Sequence, residues 1–115
     1  MDESTLYIID RVVVRPGTAR EFIDAYLAGY APGARNRGLT LERILVSPPV
    51  WIEGETNTVT ATWTVTGSSE WWAAAVAGRH DPAPAQWWES MASMIVGRSR
   101  STASRAQDVE GLCDV

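Results

Sequence analysis

The chain of 115 residues contains no lysine, so all ten of its positive charges are arginines. Without a lysine there is no Schiff base on a side-chain amine and no phosphate-binding P-loop. One histidine, His80, and one cysteine, Cys113, are too few for the usual His- or Cys-based metal site within a single subunit. A lone cysteine also excludes an intrachain disulfide, which fits a reducing compartment. Neither GxGxxG nor CxxC occurs, and no GxSxG turn accompanies the histidine, which leaves a Ser-His-Asp triad without its structural context. No run approaches the roughly 18 apolar residues of a membrane span. The acidic start, Met1-Asp2-Glu3, lacks the layout of a signal peptide, and a cytoplasmic protein is expected. A formal net charge of −4 with scattered arginines gives no footprint for nucleic acid.

What remains is an ordinary globular composition, 45% apolar and 21% charged, over a length that suits one domain across residues 1–115, with 1–5 and 107–115 as tails. Leu6 to Val14 is rich in β-branched residues and nearly continuously apolar, as in a strand covered on both faces. It ends at Arg15-Pro16-Gly17. Thr18 with Glu21 reads as a capping box, and Phe22, Tyr26 and Tyr30 then recur at helical spacing up to about Ala31, where Pro32-Gly33 interrupts. Leu39 to Val46 is a second strand, stopped at Ser47-Pro48-Pro49, with Val50-Trp51-Ile52 as an extension beyond a bend. Thr58 to Thr66 shows the clearest alternation: Val59, Ala61, Trp63 and Val65 on one face, threonines on the other.

Gly67-Ser68-Ser69-Glu70 predicts a helix start with a serine cap. That helix carries Trp71 and Trp72 and ends before Pro82; a second piece, from about Pro84 to Gly97, carries Trp87, Met91, Met94 and Ile95. The tail Ser99 to Arg105 has poor strand propensity, and a strand is expected there because an edge would otherwise stay uncovered. The order is β-α-β-β-α-β, the ferredoxin-like split βαβ arrangement of an α+β protein. Helices on one sheet face leave the other to be covered, and a homodimer packed sheet against sheet meets that need.

Several side chains are candidates for chemistry. Asp10 interrupts an apolar strand, where a carboxylate is costly unless paired; it is either a general base or one half of an ion pair, with Arg43 or with Arg11 of a second subunit. His80 is either an acid–base group or an exposed cation at a helix end. Adjacent tryptophans on a helix point about 100° apart, so only one of each pair faces the core fully; Trp88 by its position, and Trp72 through the resemblance described next, are the candidates to wall a cavity. Tyr26 and Tyr30, one turn apart, offer hydroxyls to a ligand or form a core stripe with polar tips; Trp63 and Tyr26 complete the expected ligand contacts.

This layout, with "VVVRPGTAREF" at residues 12–22 and "ATWTVTGSSEWW" at 61–72, resembles the dimeric α+β barrel superfamily, in its NIPSNAP-like and antibiotic-biosynthesis-monooxygenase-like branches. The resemblance implies two sheets closing into a barrel across a homodimer, with a pocket between sheet and helices. Members include cofactor-free oxygenases, polyketide cyclases, lactone isomerases and haem-degrading enzymes, so the fold does not choose the reaction. Against the Asn, Trp and His of the haem-degrading branch, this chain offers Asp10, Trp72 and, one position out of step, His80. The expectation is a cofactor-independent enzyme acting on an apolar, aromatic or polycyclic small molecule by proton transfer through Asp10 and His80. The alternatives are a haem or hydrophobic-ligand binder with His80 as axial ligand, and a non-catalytic interaction module.

Overall fold

The computed structural model describes residues 4–113. Four antiparallel strands, β1 (Thr5–Val14), β2 (Thr40–Ser47), β3 (Asn57–Thr66) and β4 (Ile95–Ser104), form one sheet in the order β2-β3-β1-β4. The helices α1 (Ala19–Ala25), α2 (Ala31–Asn36), α3 (Ser68–His80) and α4 (Ala83–Ser90) complete the ferredoxin-like α+β arrangement.

Strand alternation decides which side chains meet the helices. On β1 these are Leu6, Ile8, Asp10, Val12 and Val14, all buried, and on β3 Asn57, Val59, Ala61, Trp63 and Val65. The core closes over them with Phe22, Tyr26, Tyr30, Ala74 and Trp88 from the helices. The opposite sheet face carries Tyr7, Ile9 and Val13, each half-buried, beside the threonines of β3.

Several local expectations are corrected. Pro32 does not end the first helix. A π-helical turn, Tyr26–Tyr30, precedes it, in which the Ala31 N–H reaches back five residues to the Tyr26 carbonyl, and Pro32 then sits in the first turn of α2. Proline is tolerated there because the first-turn N–H groups have no partner within their own helix. The capping box does not form: Thr18 already has helical dihedrals, and its hydroxyl donates to the Arg15 carbonyl at 2.7 Å. The α3 cap is Gly67 at φ 87°, not a serine. Val50-Trp51-Ile52 lies in a loop outside β2, and the buried Asn57 holds it by donating to the Pro48 and Val50 carbonyls at 3.2 and 2.9 Å.

The expected helix over 84–97 stops at Ser90, and after a 3-10 turn the chain enters β4 at Ile95, opposite Val14. Ladder partners on β1 prevail there over helical spacing. Within the expected C-terminal tail, α5 (Val109–Cys113) brings Leu112 against the core. Residues 1–3, 114 and 115 of the expected tails lie outside the described residues.

Candidate functional site

Asp10 sits mid-strand on β1, opposite Ala61 of β3 and Arg100 of β4, and is only 2% exposed. A carboxylate that deep in an apolar layer needs donors for both oxygens. It has three. Arg100 reaches across from the edge strand, Nε to Oδ1 at 2.6 Å and Nη2 to Oδ2 at 3.0 Å, in the two-pronged geometry that makes guanidinium–carboxylate pairs strong. Tyr26 donates its hydroxyl to Oδ2 at 2.7 Å and in turn accepts the Trp63 indole N–H at 2.6 Å. Arg100 also donates to the Tyr30 hydroxyl, towards which Arg37 Nη2 lies at 3.5 Å. The π-turn keeps both tyrosines on this side, their rings stacked with centroids 5.0 Å apart.

Burial, and then the Asp10 charge, push the Tyr26 hydroxyl well above its ordinary pKa, so it remains a donor. Burial opposes the charge on Arg100, but the hydrogen bonds and charge of Asp10, with Tyr30, outweigh it and raise its pKa further. Tyr26 thereby links stability to alkaline pH. Its folded pKa lies above the unfolded value of about 10, so its contribution is whole below pH 10 and is lost as pH rises towards the folded pKa. Urea unfolding is expected to show stability falling by about 1.4 kcal/mol per pH unit above pH 10 from this group. Tyr26→Phe should be less stable at pH 7 yet flatten that slope; an unchanged slope would dissociate Tyr26 from it.

Beside the network a cavity of about 280 Å³ opens between α3 and the sheet, with Ile8, Leu39, Trp71, Ala74 and Pro84 as apolar wall and Arg37, Arg79 and Arg100 as charged wall. Arg100 joins the two: its side chain is 41% exposed, one end on Asp10 and one flank on the cavity.

The sequence-predicted residues divide around this geometry. Asp10, Tyr26 and Trp63 come together in one buried network, but none of them lines the cavity. Trp88 is buried against Phe22, Tyr26 and Tyr30, with the Arg98 guanidinium 4.2 Å from its ring centre. Trp72 is 57% exposed, and its neighbour Trp71 takes the cavity wall. His80 is exposed at the end of α3, one residue past the lining residue Arg79. Within the chain the ion-pair partner of Asp10 is Arg100, not Arg43, which pairs with Glu42 on the far edge strand.

No protein-family model and no curated protein matches the sequence. Solved structures do match in shape. A NIPSNAP family protein of unknown function from Agrobacterium tumefaciens superposes with a TM-score of 0.67 at 10% identity, over 90% of each chain. A NIPSNAP domain protein from Burkholderia xenovorans gives 0.67 at 13% identity, over 88% of this chain and 94% of its own. The fold is that of the NIPSNAP proteins. The NIPSNAP-like fold extends to an antibiotic-biosynthesis-monooxygenase-like protein from Nitrosomonas europaea, at a TM-score of 0.63 and 13% identity over 92% of this chain and 94% of that one. At these identities the likeness carries the architecture alone.

Within this NIPSNAP-like frame, sequence reasoning missed Arg100, Arg37, Arg79 and Trp71. Only Arg100 had a readable signal. Arg98 and Arg100 alternate with small residues, which puts both arginines on one face if 95–104 is a strand. None of the cavity-lining residues is a usual axial haem ligand, and His80 is not among them. Among the described residues no three His, Cys, Asp or Glu side chains gather as metal ligands, and no helix is long and apolar enough to cross a membrane.

Proposed function

We propose that the protein binds an apolar, ring-containing small molecule in the cavity beneath α3 and promotes proton transfer on it without a cofactor, in an isomerisation, cyclisation or oxygenation. The observation that carries this reading is Arg100: one face is held by a buried carboxylate and the other borders an apolar cavity. A guanidinium fixed in that way is preorganised to stabilise an oxyanion developing on a bound carbonyl or phenol. In this reading Asp10 is a positioning residue that acts through Arg100. Either His80, exposed one residue past the lining residue Arg79, or solvent takes the proton. The C–H electron pair becomes the C=C bond of an enolate as the carbonyl π pair moves onto the oxygen facing Arg100; solvent then returns a proton to carbon as that π pair re-forms the carbonyl, and the base releases its own proton to solvent.

The open sheet face, with Tyr7, Ile9 and Val13 half-buried and Leu45 exposed, is the surface on which a second copy of the chain would pack to form the homodimer. Light scattering that gave the mass of one chain would exclude that partner.

The proton-transfer reading is tested with 2-tetralone, a bicyclic ketone, in deuterated buffer. Proton NMR is expected to show faster loss of its α-hydrogens with the protein than without, slowed by Ala75→Trp, which fills the cavity, and by Asp10→Asn. Exchange at the buffer rate, with no binding, would overturn it. His80→Ala decides whether the imidazole or water accepts the proton.

A further inference from the structure

The polar side of the cavity is almost entirely of one sign. Arg37 comes from just past the end of α2, Arg79 from α3 and Arg100 from β4, while the remaining polar groups of the wall are Thr102 and the Trp71 indole. No carboxylate lines it. Asp10 neutralises Arg100 from below, but among the described residues neither Arg37 nor Arg79 is paired with a carboxylate. Glu70 and Asp81 border neighbouring recesses that Arg37 also touches, not this cavity. A chain with a net charge of −4 thus leaves two uncompensated cations around one apolar hole.

Arg37 is also held in place. It reaches the Tyr30 hydroxyl, lies 5.9 Å from that ring's centre, and packs against Gly78 of α3, where an added Cβ would come within 3.3 Å of its Nε. Glycine inside a helix costs about 1 kcal/mol relative to alanine, and here it leaves room for a guanidinium. Of that group's five N–H donors, one is engaged by the Tyr30 contact.

We infer that the ligand of this cavity carries a carboxylate, clamped by Arg37 and Arg79 while its ring system lies against Ile8, Leu39 and Trp71. The inference rests on the proposed small-molecule site and adds the charge of its occupant. A planar two-oxygen anion matches the fork of a guanidinium, and a volume of about 280 Å³ lies just below the roughly 300–1,000 Å³ common for ligand pockets, which suits one or two rings.

The experiment compares 2-naphthoate with its neutral isostere 2-naphthamide, by calorimetry and by quenching of tryptophan fluorescence. The carboxylate is expected to bind about tenfold more tightly than the amide, and Arg37→Gln and Arg79→Gln should each weaken the carboxylate by a similar factor while leaving the amide unchanged. Circular dichroism verifies the fold of both variants. Independently of any variant, added sodium chloride should weaken the carboxylate and not the amide. Equal, salt-insensitive binding of the two probes would overturn the anion clamp and leave the apolar site standing. Tighter binding of 2-naphthyl phosphate than of 2-naphthoate would overturn the choice of carboxylate. If neither naphthyl probe binds, the cavity itself fails as a site, and the inference with it.

Discussion

Arg100→Met is expected to destabilise the protein by about 2–3 kcal/mol, measured as the shift in urea midpoint at constant slope. The cost arises at Asp10 more than at Arg100. Methionine keeps much of the apolar stem, but Asp10, 2% exposed, then holds a charge with the Tyr26 hydroxyl as its remaining donor. Orphaning one partner of a wholly buried pair costs about 3–5 kcal/mol. The smaller figure applies because the Arg100 side chain is 41% exposed and water can reach the vacated position. Pairing Arg100→Met with Asp10→Asn should recover at least about 1 kcal/mol of the loss, since a neutral amide still accepts from Tyr26 and carries no charge to hide. A double variant as unstable as the single one would show that the loss comes from packing of the arginine stem.

Trp63→Ala is expected to cost more, about 3–5 kcal/mol. Trp63 is wholly buried at the centre of β3 and stands opposite Ile8 of β1 and Leu41 of β2. Removing it opens a void in the middle of the sheet and deprives the Tyr26 oxygen of its indole donor at 2.6 Å. Trp63→Phe keeps most of the volume and loses the hydrogen bond, so the difference between the two variants separates packing from polarity. Equilibrium unfolding of the wild type and both variants provides the measurement, and a loss below about 1 kcal/mol for alanine would mean that the core collapses around the missing indole.

Local pattern carried much of the architecture. The alternation over Thr58–Thr66 corresponds to β3 of Asn57–Thr66, and the buried stripe Phe22, Tyr26, Tyr30 follows the first helical segment. What escaped was settled by distant partners. β4 has few strand formers among Gly97, Arg98, Ser99, Arg100 and Ser101, yet it pairs along β1 from Leu6 to Val14, and that ladder lies outside any local window. The π-turn before Pro32 likewise arises from a conflict between a helical stripe and a proline, and spacing alone does not say which gives way.

For the site, the sequence marked Asp10 as a carboxylate needing a partner and offered Arg43 or Arg11 of a second subunit, where the structure pairs it with Arg100. The partner is 90 positions away. Tryptophan adjacency showed that one indole of the first pair must leave the core, without saying which. The helix phase places Trp71 on the cavity and Trp72 outside.

Chain order gives the Asp10–Arg100 pair a further meaning. Among the described strands the carboxylate belongs to the earliest in chain order and its counter-ion to the latest. Until β4 docks, β1 and β3 can meet only by hiding an uncompensated charge or by leaving that stretch wet. Docking of β4 on β1 therefore does two things together: it extends the ladder of the described sheet and supplies the counter-ion of Asp10.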